Sequence, residues 1–323
     1  MGTLILNITD TFRLKLPPNR QGTRFKAFMA LGLVSFFWGT TWLASRQGVQ
    51  HMPALQMAGL RQFMGGCVYL VFFMTKGRAW PKGREWRPIL VLSLLNFMLS
   101  NGLATWGVSY ITGGLASIIG SIFPLWLVIL GLFRSRRLPA AGIWGILLGF
   151  GGICIIFYEH IPDFLNPKFS LGIILSIIAT WAWALGSLYT KKQSAGFNPY
   201  FSIGLQMLIS GSVLFTVSAA TGHSIPVSQI PWQSWAAMSY LVVFGSVISF
   251  IAYLYALQNL PTELVSIYAY INPIVAVILG SVLFEEKLTV FIAVGVAVVL
   301  YGVFLVNQAY RKAGKASQTG FES

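Results

Sequence analysis

Residues 113–137 read GGLASIIGSIFPLWLVILGLFRSRR, an uncharged and mostly apolar stretch of 21 residues followed by a basic cluster. A helix rises about 1.5 Å per residue, so about 20 apolar residues cross the hydrocarbon core of a bilayer. Basic residues beside such a stretch are typical of its cytoplasmic end. The stretch predicts a membrane-spanning helix with Arg134, Arg136 and Arg137 at its cytoplasmic end.

The composition of the whole chain agrees with this first helix. Of its 323 residues, 56% are hydrophobic and 9% are charged, and the mean hydropathy is +0.72. A soluble globular domain has about 45–50% apolar and about 25% charged residues. The composition therefore argues against a soluble protein, including a soluble enzyme.

Ten apolar runs of comparable length follow one another along the chain. They cover residues 27–46, 54–75, 88–108, 113–133, 140–158, 170–190, 198–220, 233–257, 263–284 and 288–308. The connections between them are too short to hold a soluble domain. We therefore predict an all-α integral membrane protein with ten transmembrane helices, flanked by tails at 1–26 and 309–323.

The basic residues set the orientation of these helices. With the N-terminus in the cytoplasm, the predicted inside segments hold 18 of the 22 Lys and Arg residues, and the outside segments hold 3. The remaining one, Arg61, lies within the second run. Both tails are therefore predicted to be cytoplasmic. The net charge of +14 then comes from basic residues on the cytoplasmic face, where anionic lipid headgroups meet them, and it does not indicate a nucleic-acid partner.

An internal repeat divides the chain into two halves, 27–158 and 170–308. Chance similarity between apolar helices is the alternative, and the preserved order of Trp, Gly and Pro argues against it. Five helices per half is an odd number, so the second half is predicted to enter the membrane from the opposite side, as in many transporters. The matched pairs are Trp38 and Trp183, Gly59 and Gly204, Gly66 and Gly211, Pro124 and Pro273, and Gly145 and Gly295, at offsets of 145 to 150.

The chain resembles the ten-helix EamA-type members of the drug/metabolite transporter superfamily. The resemblance rests on Trp38-Gly39 and Trp183-Ala184, on the prolines that end Ser121–Pro124 and Tyr270–Pro273, and on Glu285-Glu286-Lys287-Leu288. It implies export or exchange of small metabolites across the inner membrane by alternating access. It also implies a central cavity lined by the first, third, fourth, sixth, eighth and ninth helices.

Aromatic and amide side chains within the runs are candidates for that cavity, because polar groups in a membrane are usually turned toward a cavity or a partner. Such a cavity suits small amphiphilic solutes, such as amino acids. The alternative is that these side chains only pack and tie helices together. The candidates are Trp38, Asn101, Trp183, Tyr253, Tyr270 and Asn272.

Two ionisable residues are candidates for a role in transport. Arg61 lies about seven residues from the outer end of its run, about 10 Å at helical rise. It either pairs with a substrate carboxylate or has a structural role, snorkelling outward or tying helix ends. Glu263, at the cytoplasmic start of the ninth run, is the one candidate for proton coupling, although a carboxylate there also suits the helix dipole.

Pro124 and Pro273 occupy matching places in the fourth and ninth runs. Proline removes a backbone hydrogen bond and kinks a helix. We predict that both residues act as hinges when the cavity opens and closes. Static shaping of the cavity is the alternative.

Other functional classes find little support in the sequence. Cys67 and Cys154 lie inside apolar runs, and the three histidines lack metal-ligand spacing, so we expect no metal and no cofactor. A membrane-embedded enzyme lacks a catalytic constellation, and paired prolines favour rocking over a channel's fixed pore. Efflux of lipophilic cations stays open as an alternative, although it ordinarily needs a buried carboxylate.

We expect a small-molecule substrate and a monomer or weak homodimer, with glycines of the fifth and tenth helices as the possible subunit contact.

Overall fold

The computed structural model describes residues 20–132, 140–158, 160–193, 197–260, 265 and 268–319. Within these ranges the chain is helical and contains no strand. The first half consists of α1 (Arg20–Val49), α2 (Ala54–Thr75), α3, α4 and α5 (Ala140–Tyr158). Helix α3 joins Trp86–Leu92, a π-helical segment at Ser93–Gly102 and Leu103–Gly107, whereas α4 comprises Gly113–Gly120 and Phe123–Leu132.

The second half repeats this order. It consists of α6 (Pro167–Gln193), α7 (Pro199–Ala220), α8, α9 (Tyr268–Phe284) and α10 (Val290–Thr319). Helix α8 joins Trp232–Tyr240, a second π-helical segment at Leu241–Ile248 and Ser249–Asn259. Short 3-10 helices at Gly83–Glu85, Pro162–Leu165 and Val227–Gln229 lie in the connections.

Helical residues lie in each of the ten predicted runs, although the bounds differ and the fourth run is interrupted. Seven helices are long and apolar enough to cross a membrane, and shorter apolar helices cover Gly113–Leu127, Ile271–Phe284 and Val290–Leu305 in the part of the chain that the structure describes. Large apolar side chains also cover the outer surface, among them Trp144, Val282, Leu283 and Val290. An apolar exterior of this extent is typical of a protein surrounded by lipid.

Helices α2 and α7 have the same length and matching ends. Their bounds differ by 145 residues at both ends, which is the offset of the sequence repeat. Asn198 starts α7 by accepting hydrogen bonds from the amides of Tyr200 and Phe201 at 3.0 and 3.1 Å. Just after each helix a glycine takes a positive φ, 61° at Gly77 and 70° at Gly222, which a side chain would disfavour.

Glycines bring α2 and α7 into direct backbone contact. A Cβ placed on Gly59 would lie 3.1 Å from the Gly211 carbonyl oxygen, and one on Gly66 would lie 2.8 Å from that of Gly204. From Gly59 to Gly66 the residue numbers rise along α2, whereas those of the contacting residues fall from Gly211 to Gly204 along α7. The two helices therefore run antiparallel. Small residues allow such close crossings of membrane helices.

Helices α5 and α10 form a second glycine crossing. A Cβ on Gly152 would lie 2.8 Å from the Gly295 carbonyl oxygen, and one on Gly302 would lie 2.6 Å from that of Gly145. These helices are again antiparallel. The glycines that the sequence suggested for a subunit contact are therefore used within the chain.

Candidate functional site

A cavity lies between the two halves, and the empty space in and around it, open solvent included, is about 950 Å³. Side chains from α1, α3, α4, α6, α8 and α9 line it, as the resemblance implied, and α2 adds Arg61. The lining includes Trp38, Thr41, Trp42, Ser45, Arg61, Ser100, Asn101, Thr105, Ser117, Ser121, Phe123, Thr180, Trp183, Phe250, Tyr268 and Asn272.

An aromatic cluster around Trp38 forms part of the cavity wall. The Trp38 ring contacts those of Phe250, Tyr253 and Tyr268 at centroid distances of 5.2, 5.2 and 5.0 Å. Its repeat-related partner Trp183 meets it edge to face at 6.2 Å. Four of these rings line the cavity, whereas Tyr253 packs behind Trp38, outside the lining.

The π-helical segment of α8 anchors this cluster. Trp38 Nε1 donates to the Gly245 carbonyl oxygen at 3.2 Å. The Tyr69 hydroxyl lies 3.2 and 3.1 Å from the carbonyl oxygens of Ser246 and Val247, to which it donates. Three consecutive carbonyls of the wide turn thus accept hydrogen bonds from α1 and α2. π-helical turns are frequent at functional sites, and this one fixes the position of Trp38.

The π-helical segment of α3 positions Asn101 at the cavity wall. Asn101 Nδ2 donates to the Asn96 carbonyl oxygen at 2.8 Å, within the same segment. Ser93 Oγ ties the segment to α7 by donating to the Gln206 carbonyl oxygen at 2.8 Å. The Asn96 side chain lies against Gly186 of α6, where no Cβ could fit beside its Oδ1.

Arg61 points into the protein rather than outward. Its side chain is 7% exposed and lines the cavity, so it does not snorkel. Its Nε donates to Ser246 Oγ at 3.3 Å, in the same π-helical segment that holds Trp38. Its repeat-related counterpart Gln206 is also buried, but its Nε2 donates to Ser202 Oγ at 2.9 Å, away from the cavity lining.

The two prolines lie in buried positions of α4 and α9. Helix α4 is interrupted at Ser121 and Ile122, just before Pro124, where the predicted run is continuous. Pro273 lies inside α9, which continues through it. Next to it, the Asn272 side-chain amide faces the carbonyl oxygens of Tyr268 and Ser35; the surrounding acceptors assign Nδ2 to this side, where it donates to them at 3.0 and 2.8 Å. Asn272 therefore both lines the cavity and ties α9 to α1.

Four of the six predicted cavity residues meet at this site: Trp38, Asn101, Trp183 and Asn272. Tyr253 supports it from behind. The Tyr270 side chain and Glu263 lie outside the described residues. Sequence reasoning missed Ser117, Thr41 and Thr180, which also line the cavity. Each lies three or four residues from another lining residue, and this helical spacing could have predicted that they share its face.

A second cavity lies at the other end of α1 and is bordered by Arg46, Thr112, His160, Asp163 and Glu286. Glu286 accepts hydrogen bonds from the backbone amides of Gly113 and Gly114 at 2.8 and 2.9 Å, one to each carboxylate oxygen. These amides begin α4, so a carboxylate from the second half caps a helix of the first. In the sequence, Glu286 stands out only as part of the motif Glu285-Glu286-Lys287-Leu288.

The chain matches known transporters over most of its length. The model of the EamA-like transporter family matches residues 25–158 and 170–308. The chain belongs to the EamA-like transporter family. This EamA-like chain is 31% identical over 291 residues to the uncharacterized inner membrane transporter YedA of Escherichia coli K12, which covers 87% of this chain and 90% of YedA.

Other relatives agree. The EamA-like chain is 25% identical over 305 residues to the uncharacterized transporter YvbV of Bacillus subtilis 168, covering 93% of this chain and 97% of YvbV. A solved crystal structure matches its fold with a TM-score of 0.62 at 17% identity, over 89% of this chain and 97% of that one. The EamA-like chain is thus a membrane transporter, related by name to transporters rather than to enzymes.

Among the described residues, no group of three or more His, Cys, Asp or Glu side chains could hold a metal ion. The described cavity lining contains hydroxyls, amides, aromatic rings and one guanidinium, and none of those residues is acidic. Such a set can bind a small solute and can orient it by hydrogen bonds.

Proposed function

We propose that this protein is a secondary transporter that exports or exchanges small metabolites across the inner membrane by alternating access. The substrates we expect are amino acids or similar amphiphilic solutes. The observation that carries this proposal is the cavity between the two halves, with Trp38 and Trp183 meeting across it. Transporters built from inverted repeats bind substrate near the middle of the membrane at the repeat interface.

The proposed topology has ten spanning helices in two inverted repeats, 27–158 and 170–308, with both termini cytoplasmic. The glycine crossing of α2 and α7 supports it. The repeat exchanges Gly59 with Gly204 and Gly66 with Gly211, and this exchange maps the two contacts onto each other. Such a self-complementary contact is what a two-fold axis produces. Reporter fusions at residues 191–192 test the orientation, and a periplasmic signal there contradicts it.

In this orientation the aromatic cluster around Trp38 lies on the cytoplasmic side of the cavity. Tyr268 and Tyr253 lie near the cytoplasmic ends of α9 and α8, whereas Ser45 and Thr105 lie near the periplasmic ends of α1 and α3. We propose that the cluster is the cytoplasmic gate, closed in this structure. Opening it requires α4 and α9 to move, with Pro124 and Pro273 as hinges.

We expect little coupling to a proton gradient. The described lining contains no carboxylate, and proton-coupled carriers generally place an acidic or histidine side chain in the membrane. Glu263 stays the candidate if coupling is found. A pH gradient that accelerates uptake in the parent protein, and no longer does so after Glu263→Gln, contradicts the expectation and assigns that residue.

Counterflow in proteoliposomes tests the proposed function. Vesicles containing the purified protein are loaded with an unlabelled amino acid, and entry of the labelled form is followed at rising concentrations. A carrier accumulates label transiently and saturates, and Trp38→Ala is expected to lower the rate with normal incorporation. Non-saturating flux indicates a channel, and no flux with any member of a metabolite panel contradicts the proposal.

A further inference from the structure

Arg61 is a buried cation that the rest of the described chain leaves largely without partners. A guanidinium carries five N–H donors, and Ser246 Oγ takes one of them. In the described ranges the one contact within 4 Å between a basic and an acidic side chain is that of His160 with Asp163, so none of the described carboxylates pairs with Arg61. The other four donors and the positive charge therefore have no hydrogen-bond or ion-pair acceptor among the described residues.

An arrangement of this kind is costly unless a ligand completes it. A charge removed from water without a counter-charge costs several kcal/mol in practice, and charged residues inside membrane proteins usually mark a substrate or ion path. Arg61 could have avoided this cost by pointing to the outside of α2. Instead it is 7% exposed and lines the cavity.

Ser117 is a second polar residue at the same cavity whose side chain has no hydrogen-bond partner among the described residues. It lies in α4, its side chain is 1% exposed, and the atom without a partner is its Oγ. Three other hydroxyls in the lining bond to their own helices: Thr41 Oγ1 donates to the Trp38 carbonyl oxygen, Ser121 Oγ to that of Ile118 and Thr180 Oγ1 to that of Ile177. A buried hydroxyl without a partner is uncommon and favours a ligand.

We propose that Arg61 and Ser117 form an anion subsite that holds the carboxylate of the substrate. This inference rests on the proposed function, because it assigns the substrate class of the same cavity. Arg61 presents the planar fork that pairs with a carboxylate, and Ser117 donates one further hydrogen bond. Trp38, Trp42 and Trp183 contact the apolar part of the substrate.

The subsite selects among the substrates left open by the aromatic cavity. Carboxylates with an apolar or aromatic side chain fit, including amino acids. Lipophilic cations do not, because the cavity holds a guanidinium and, in its described lining, no carboxylate to balance a second positive charge. Aromatic rings alone would favour cations, so the two features predict opposite selectivity.

Three ligands of similar shape and different charge test this selectivity. They are phenylacetate, phenylacetamide and phenethylamine, which are anionic, neutral and cationic. Binding to purified protein is read from quenching of tryptophan fluorescence, and transport from counterflow. We expect phenylacetate to bind and exchange, and phenethylamine to do neither. Arg61→Gln is expected to raise the half-saturation concentration for phenylacetate about 10- to 100-fold, because hydrogen bonds to charged groups contribute that much.

Matched variants separate binding from folding. Arg61→Lys keeps the charge and is expected to retain part of the affinity that Arg61→Gln loses. Ser117→Ala is expected to weaken phenylacetate binding several-fold. Ser210→Ala is the control and is expected to change nothing, because that equally buried hydroxyl donates to the Met207 carbonyl oxygen at 3.0 Å in α7, outside the cavity lining.

Each result bears on the inference in a defined way. Equal binding of phenylacetate by parent and Arg61→Gln proteins overturns the subsite, and so does preferred exchange of phenethylamine, while the transporter itself stands. Binding of chloride that Arg61→Gln abolishes, with phenylacetate neither bound nor carried, also overturns it and makes Arg61 a counter-ion site. Absence of binding and of counterflow for all three ligands and for amino acids overturns the inference together with the proposed function.

Discussion

Replacing Glu286 with alanine removes a carboxylate that joins the two halves of the transporter. Its oxygens accept hydrogen bonds from Gly113 and Gly114 at 2.8 and 2.9 Å, at the start of α4. The carboxylate also lies over Gly280: a Cβ on Gly114 or Gly280 would lie 2.8 or 2.6 Å from its Oε2. The left-handed backbone of Glu285, with φ at 54°, turns the chain into this position after α9.

The expected loss can be worked out from these contacts. Removing the side chain that caps a helix costs about 0.5–2 kcal/mol, and a negative charge at a helix N-terminus adds about 0.3–1 kcal/mol. Water replaces part of the loss because Glu286 is half-buried. We expect Glu286→Ala to cost about 0.5–2 kcal/mol, and Glu286→Gln about half of that because one oxygen remains.

Thermal unfolding of the detergent-purified protein, followed by tryptophan fluorescence, measures this effect. For domains of 150–250 residues a loss of 1 kcal/mol lowers the melting temperature by about 2–4 °C, so we expect Glu286→Ala to melt several degrees lower. Glu285→Gln is the control, because that neighbouring side chain is exposed. If Glu286→Ala melts with the parent, or if Glu285→Gln falls as far, the carboxylate does not stabilise the contact and the reasoning is wrong.

Three further substitutions test the helix contacts. Gly66→Val should reduce the yield of monodisperse protein by forcing α2 away from α7, while Gly32→Val should not, because nothing lies within 4 Å of a Cβ at Gly32; equal yields contradict the crossing. Tyr69→Phe removes the donor to two carbonyls of the π-helical segment of α8 and should cost about 1 kcal/mol in thermal unfolding. Tyr158→Phe, which changes an exposed ring, should melt like the parent, and an equal fall in both contradicts this role. Pro273→Ala should bind substrate normally but turn over more slowly, and normal counterflow would mean that the proline only shapes the cavity.

Helix positions were predictable because they depend on local sequence. An apolar run must be about 20 residues long to cross a bilayer, so run lengths alone place α2 at Ala54–Thr75, as the structure has it. The glycines at offsets of 145 and 150 also predicted equivalent helices. What they could not show was that these helices cross each other, because a repeat gives equivalence and not contact.

The wide turns and the charged contacts were not predictable in the same way. The π-helical segment of α8 depends on Tyr69 and Trp38, which are more than 170 residues away in sequence. Glu286 and Gly113 are 173 residues apart. For Arg61 the sequence left two directions open, since an isolated charge in an apolar run carries no periodic signal. In the structure it faces inward and donates to Ser246 Oγ, 185 residues away in sequence.

Accessibility of one cavity residue from both sides of the membrane tests alternating access most directly. Cys67 and Cys154 are replaced by alanine, Asn101→Cys is introduced at the cavity wall, and a membrane-impermeant thiol reagent is applied to right-side-out and inside-out vesicles. Alternating access predicts labelling from both sides, slowed by transported substrate in each case. Labelling from one side alone, with or without substrate, would contradict the account.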